Sequence, residues 1–241
     1  MLSEPQEIGW GIRKNSPQLL EAVNVWLKDI KRKGVFRVIY NKYLNSPRTL
    51  LARIASDYSS QAGSKLSPYD DQLKAGAKQI GWDWRLIASM VYQESNFNPQ
   101  VESWAGAIGL MQIMPETGNY FGVENLWDPV QNIKVGIRFL KFLDKQWAKT
   151  VTDSLERTKF VLASYNVGLS HVIDAQKLTR KYGKDPTKWK DNVEYFLLKK
   201  SDPKYYRDPV VIVGYCRCVG PVAYVKEVLQ RYDEYKLRID V

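Results

Sequence analysis

From Ser67 onward, apolar residues recur every three or four positions, and no run alternates apolar with polar residues long enough to build a substantial sheet. Val130, Ile133, Ile137, Leu140, Leu143 and Trp147 fall on one stripe, which only a helix brings to one face. The spacing predicts helices near 68–80, 84–95, 129–149, 154–166, 168–182, 187–199 and 210–235. The expected fold class is therefore all-α, or mainly so, and no internal repeat breaks it into smaller units.

Residues 1–45 read differently. Ile8-Gly9-Trp10-Gly11-Ile12 alternates like a strand. Pro17 then opens a helix carrying Leu20, Val23, Leu27 and Ile30, with Gly34 as its stop, and a second short helix carries Phe36, Ile39, Tyr40 and Tyr43. One strand and two helices over about 45 residues bury too little to stand alone. Asn45-Ser46-Pro47 and the run Ser59-Ser60-Gln61-Ala62-Gly63-Ser64 punctuate a linker over 46–66, so the main domain spans 67–241.

Charge and cysteine content narrow the function classes. The net charge is +10, yet residues 1–66 hold eleven Lys/Arg against five Asp/Glu, leaving only +4 on the large domain. A nucleic-acid binder concentrates its basic residues on the working domain, so that class is disfavoured; a carboxylate-bearing polymer would suit the basic excess. Eight Trp and fifteen Tyr would serve core packing or a sugar groove equally. Cys216 and Cys218 are too close for an easy mutual disulfide and lack His or Cys partners for a metal, so they read as ordinary buried thiols. His171 has no triad or metal cluster around it and reads as structural. No signal-peptide pattern follows Met1, and no apolar run is long enough to span a membrane.

Asp83 is a good N-cap for a helix from Trp84 to about Ser95. On it Leu86, Met90 and Glu94 stand at i, i+4 and i+8, which puts a carboxylate on the apolar face at the last turn. A carboxyl partly removed from water holds its proton at higher pH and can deliver it to a leaving oxygen. The same position would also suit a salt-bridged helix end. After Glu94-Ser95 come Ser103, then Gly109-Leu110-Met111-Gln112, then Tyr165-Asn166 at a helix end that Gly168 closes, and finally Tyr224-Val225.

In that order these four motifs resemble the lytic transglycosylases whose catalytic domain has the goose-type lysozyme fold. The resemblance covers about residues 68–235. It departs at Ser164, where Ala is usual, and at Gly220-Pro221-Val222-Ala223, where Glu-Thr often precedes the Tyr. It implies that Glu94 is the catalytic acid/base and that Ser103, Met111, Gln112, Tyr165, Asn166 and Tyr224 bind substrate, Met111 and Tyr224 by lining the groove. Ser103 is equally suited to capping a turn, and Met111, apart from the motif, reads as core packing. It also implies cleavage of the β-1,4 bond between N-acetylmuramic acid and N-acetylglucosamine without water, giving 1,6-anhydro ends, with no cofactor and no metal. The partners would be peptidoglycan glycan strands, not nucleic acid. The alternatives are a hydrolytic lysozyme on the same scaffold, using a second carboxylate such as Glu102 or Glu116, and a non-catalytic peptidoglycan-binding module.

Gly11-Ile12-Arg13-Lys14, the Pro17–Lys33 helix and the Tyr40–Leu44 stretch resemble the closing segment of periplasmic solute-binding domains. That pairing is similar to the membrane-bound lytic murein transglycosylase F subgroup. It implies a periplasmic, outer-membrane-associated full-length protein, with membrane association only through a segment absent from this chain.

Overall fold

A computed structural model describes residue 13 and residues 15–32, 65–237 and 239. The strand expected at Ile8–Ile12, the helix through Phe36–Tyr43, the stop at Gly34 and all of the linker but Lys65 and Leu66 lie outside them. The chain divides into two compact units, residues 1–63 and 64–241. In the first, α1 spans Pro17–Arg32; Val23, Leu27 and Ile30 form its less exposed stripe, while Leu20 stays exposed.

The second unit is a helical assembly, as the periodicity requires. Its elements are α2 (Asp70–Ile80), α3 (Trp84–Ser95), α4 (Pro115–Tyr120), α5 (Pro129–Trp147), α6 (Ser154–Val167), α7 (Leu169–Lys181), α8 (Glu194–Lys199), α9 (Pro203–Tyr206) and α10 (Val219–Lys236). The main helices start where the sequence offers caps: the side chains of Asp83, Asp128 and Asp153 accept the orphan N–H groups of the first turns of α3, α5 and α6. Pro129 occupies the first turn of α5, where its missing N–H costs nothing.

α3 is the central element. Every residue from Trp84 to Val91 is buried, with α2 and α10 packed against it. The α5 stripe turns inward as expected, except that Val130 in the first turn is 54% exposed. Gly76 lets α2 lie directly on α5: a Cβ there would come within 2.7 Å of Ile137. α6 fills the space between α5 and α10.

Two stretches depart from the expected helices. Trp189–Val193 is a kinked turn, with Lys190 extended and Asp191 left-handed, so the helix expected over 187–199 is confined to α8. Residues 210–218 are not helical, and the helix expected from 210 starts at Val219. Here the N–H groups of Ile212 and Val213 are taken by the Asp174 carboxylate, and Cys216 N–H by Lys200 O, rather than by carbonyls four residues back. Gly214 adopts a positive φ.

The same stretch corrects the reading of the cysteines, because Cys216 and Cys218 are joined in a disulfide. The bend brings their Cα atoms to 5.3 Å, within the range a disulfide spans. Beneath it Lys200, fully buried, pairs with Asp174 at 2.8 Å and meets His171 Nδ1 at 3.0 Å. His171 thus belongs to the support of this loop. Burial and the Lys200 charge hold its pKa below the usual imidazole value.

Candidate active site

Glu94 lies in the last turn of α3, where the helix leaves the core. Asn96 and Phe97 both take left-handed backbone conformations, which end the helix abruptly. Asn tolerates that region; for Phe it is unfavourable and must be held by surrounding contacts, among them the edge-on packing of Phe97 against Tyr92. The Ser95 hydroxyl bonds to Leu110 O at 2.8 Å, fastening the helix end to the segment that carries Gly109–Gln112.

That segment has no helix or ladder to organise it, only the isolated bridges Glu102↔Ile108 and Ile108↔Ile113. Asn132 of α5 does the organising. It is fully buried, its Oδ1 accepts from Met111 N at 2.8 Å, and its Nδ2 donates to Ile108 O and Leu126 O, both at 2.8 Å. Gly109 passes so close that a Cβ would sit 2.5 Å from Asn132 Nδ2 and 2.7 Å from Leu126 O, and its φ of +77° is itself a glycine conformation. Nothing in the sequence singled out Asn132. A buried polar residue on an otherwise apolar helix stripe was the available signal.

The Glu94 carboxyl is half-buried by exposed surface but closely surrounded by protein. Tyr224 of α10 donates its hydroxyl to Glu94 Oε1 at 2.7 Å. Removal from water pushes the carboxyl up to about 7, against the Tyr224 bond that pulls it down. Tyr165 of α6 donates to Met111 O at 2.7 Å. Burial raises both tyrosines well above their usual range, and the Glu94 charge adds to the rise. Neither phenol gives up its proton near neutrality, so each stays a fixed neutral dipole beside Glu94.

The other expected binding residues fall unevenly. Asn166 is exposed at the last turn of α6. Ser103 takes the turn-capping role: its Oγ accepts from Ala107 N at 2.9 Å, which leaves the hydroxyl proton unspent. Gln112 directs its Nε2 into the loop, to Val101 O and Gly109 O at 3.0 Å each, so it shapes the segment. Two expected groove residues offer it little surface. The Met111 side chain is 0% exposed and packs against Gly136, where a Cβ would collide with its sulfur. Tyr224 is buried too, with its hydroxyl on Glu94. Ser164, the departure from Ala, accepts from Trp147 Nε1 at 2.9 Å in the core and satisfies an indole that would otherwise be stranded. Glu102 and Glu116 are exposed. Among the described residues no cluster of His, Cys, Asp or Glu could hold a metal, and no helix is long and apolar enough to cross a membrane.

Residues 71–188 match the model of the transglycosylase SLT domain family, and Glu94, the most strongly raised carboxyl among the described residues, lies within that span. More particularly, 98% of the chain is 32% identical to a membrane-bound lytic murein transglycosylase F of Desulfosudis oleivorans, and 96% is 32% identical to one of Pseudomonas fluorescens. It covers 51% and 47% of those proteins, so the chain spans about half the length of the curated relatives it matches. A solved lytic transglycosylase Slt of Pseudomonas aeruginosa overlays 70% of this chain and 24% of its own at 22% identity, with a TM-score of 0.48.

Proposed function

We propose that this chain cleaves peptidoglycan glycan strands as a lytic transglycosylase, with Glu94 as its acid and base. The observation that carries the reading is the Glu94 carboxyl, raised to about 7 and held by Tyr224. Such a group is protonated for a useful fraction of the time near neutrality and is also a competent base once it has given its proton away.

The step balances without water. Glu94 gives its proton to the bridging oxygen as the bond from that oxygen to the muramoyl C1 breaks. Positive charge grows at C1 and the ring oxygen. The Glu94 carboxylate then takes the proton of the C6 hydroxyl while O6 bonds to C1, which closes a 1,6-anhydro ring and restores the acid. Attack from within the same sugar has a large advantage over attack by solvent, because the nucleophile is already in place. The phenol of Tyr165 spends its proton on Met111 O, so its lone pairs are free for the growing positive charge. Asn166 and the free proton of the Ser103 hydroxyl are available to substrate polar groups.

Homologous proteins named membrane-bound lytic murein transglycosylase F support a periplasmic site of action, and outer-membrane association of the full-length protein forms part of the same reading. Residues 1–45 would then be the closing piece of a solute-binding-like domain, 46–66 a linker and 67–241 the catalytic domain. The test is the mass of muropeptides released from purified sacculi, with a digestion in heavy-oxygen water. New ends should be 1,6-anhydromuramoyl, lighter by one water and free of solvent label. Reducing, labelled ends would make the enzyme a hydrolase instead.

A further inference from the structure

The turn between Ser103 and Gly106 presents Trp104, whose side chain is 100% exposed, more than any other large apolar side chain among the described residues. The turn beneath it is rigid. Ser103 N donates to Ala107 O, Gly106 N to Ser103 O, and Ala107 N to Ser103 Oγ, all at 2.9 Å; Gly106 takes a positive φ. Its base is clamped by Gly109 N to Val101 O and by the Gln112 amide. From there the Ser95–Leu110 bond leads directly to the residue after Glu94. An indole fully in water is unfavourable.

Resting on the lytic reading, we propose that Trp104 is a stacking platform for a pyranose ring of the glycan strand that Glu94 cleaves. The charge of its own segment of chain argues for an uncharged sugar face. Between Arg85 and Lys134 the sequence has no Lys or Arg, while Glu94, Glu102, Glu116, Glu124 and Asp128 fall within that stretch. Exposed Glu102 is two residues from Trp104. Stem-peptide carboxylates and anionic lipids would meet like charge there, whereas the C–H face of a sugar meets only the flat indole. The rigid turn adds precision, because little freedom is lost when the ring seats.

The experiment uses the full chain with Trp104→Ala and Trp104→Phe, each in the parent and in a Glu94→Gln background, with folding checked by circular dichroism. Binding of peptide-free glycan strands to the Glu94→Gln proteins should weaken roughly three- to tenfold with Ala, and Phe should recover most of it. In the active proteins the loss should fall on KM rather than kcat. Adding strands should shift the tryptophan emission of the Glu94→Gln protein, and Trp104→Phe should remove most of that shift. Parent-like binding and KM in Trp104→Ala overturn the platform, as does a loss seen only with peptide-bearing strands, which would assign the ring to stem peptide. A parent protein that neither binds nor cleaves glycan overturns the lytic reading itself.

Discussion

Replacing Glu94 by Gln should remove the activity and also the loss of stability that the parent suffers as pH rises from 4 to 8. The folded carboxyl sits at about 7 against an ordinary value of 4.5. The sign follows from proton binding. Below pH 4.5 the group is protonated in both folded and unfolded chains and contributes no difference. Between 4.5 and 7 the unfolded chain ionises while the folded one resists, so stability falls; above 7 the loss levels off. Each pKa unit is worth about 1.4 kcal/mol, so the loss is about 3 kcal/mol. Gln carries no charge in either state and escapes it, and its Oε1 still accepts from Tyr224. Its extra N–H groups bring a desolvation cost, but that cost is the same at every pH and cancels when the two proteins are compared across pH. Urea unfolding at pH 4, 6 and 8 should therefore show the stability of Glu94→Gln minus that of the parent rising by about 3 kcal/mol. For a domain of this size that corresponds to roughly 6–12 °C in Tm. A difference that does not change with pH would refute the claim that burial, rather than catalysis alone, sets the state of this carboxyl.

Activity on isolated glycan strands should decline as pH rises through about 7, because the first step needs the protonated acid. Tyr224→Phe removes a bond that favours the carboxylate, so this limb should move to higher pH while kcat falls; a limb that stays in place or moves down in the kcat profile would contradict the Tyr224 assignment. Asn132→Ala strands three buried backbone groups, Met111 N, Ile108 O and Leu126 O, and should cost about 3 kcal/mol or more in urea unfolding, with lowered kcat in whatever folds. A neutral effect on both would mean the Gly109–Gln112 segment is held by something else.

Much of this protein was legible along the chain because its information is local. The α3 start at Asp83 and the placement of Glu94 on that helix's apolar face both follow from spacings of at most eight residues, which a helix converts directly into a shared face. The helix α5 was equally plain, from its stripe running from Val130 to Trp147. Where the reading failed, a competing local signal was overridden. The apolar residues of 210–218 look helical, but the buried Asp174 carboxylate captures their N–H groups from 38 and 39 residues away. The resemblance put Met111 in the groove, yet its side chain is buried. Gly136, on another helix, opens a hole that its sulfur fills.

By itself, then, the sequence determined the helical class, most of the helix starts and the place of Glu94 on an apolar helix face, because period and capping act within a few residues. The tertiary structure alone decided which polar groups meet: Tyr224 with Glu94 across 130 residues, Asn132 with Met111 across 21, Tyr165 with the Met111 carbonyl across 54. Hydrophobic burial is non-directional and brings helices together without naming partners. A hydrogen bond tolerates only a few tenths of an ångström, so its partner is fixed only when the packed helices have settled their positions.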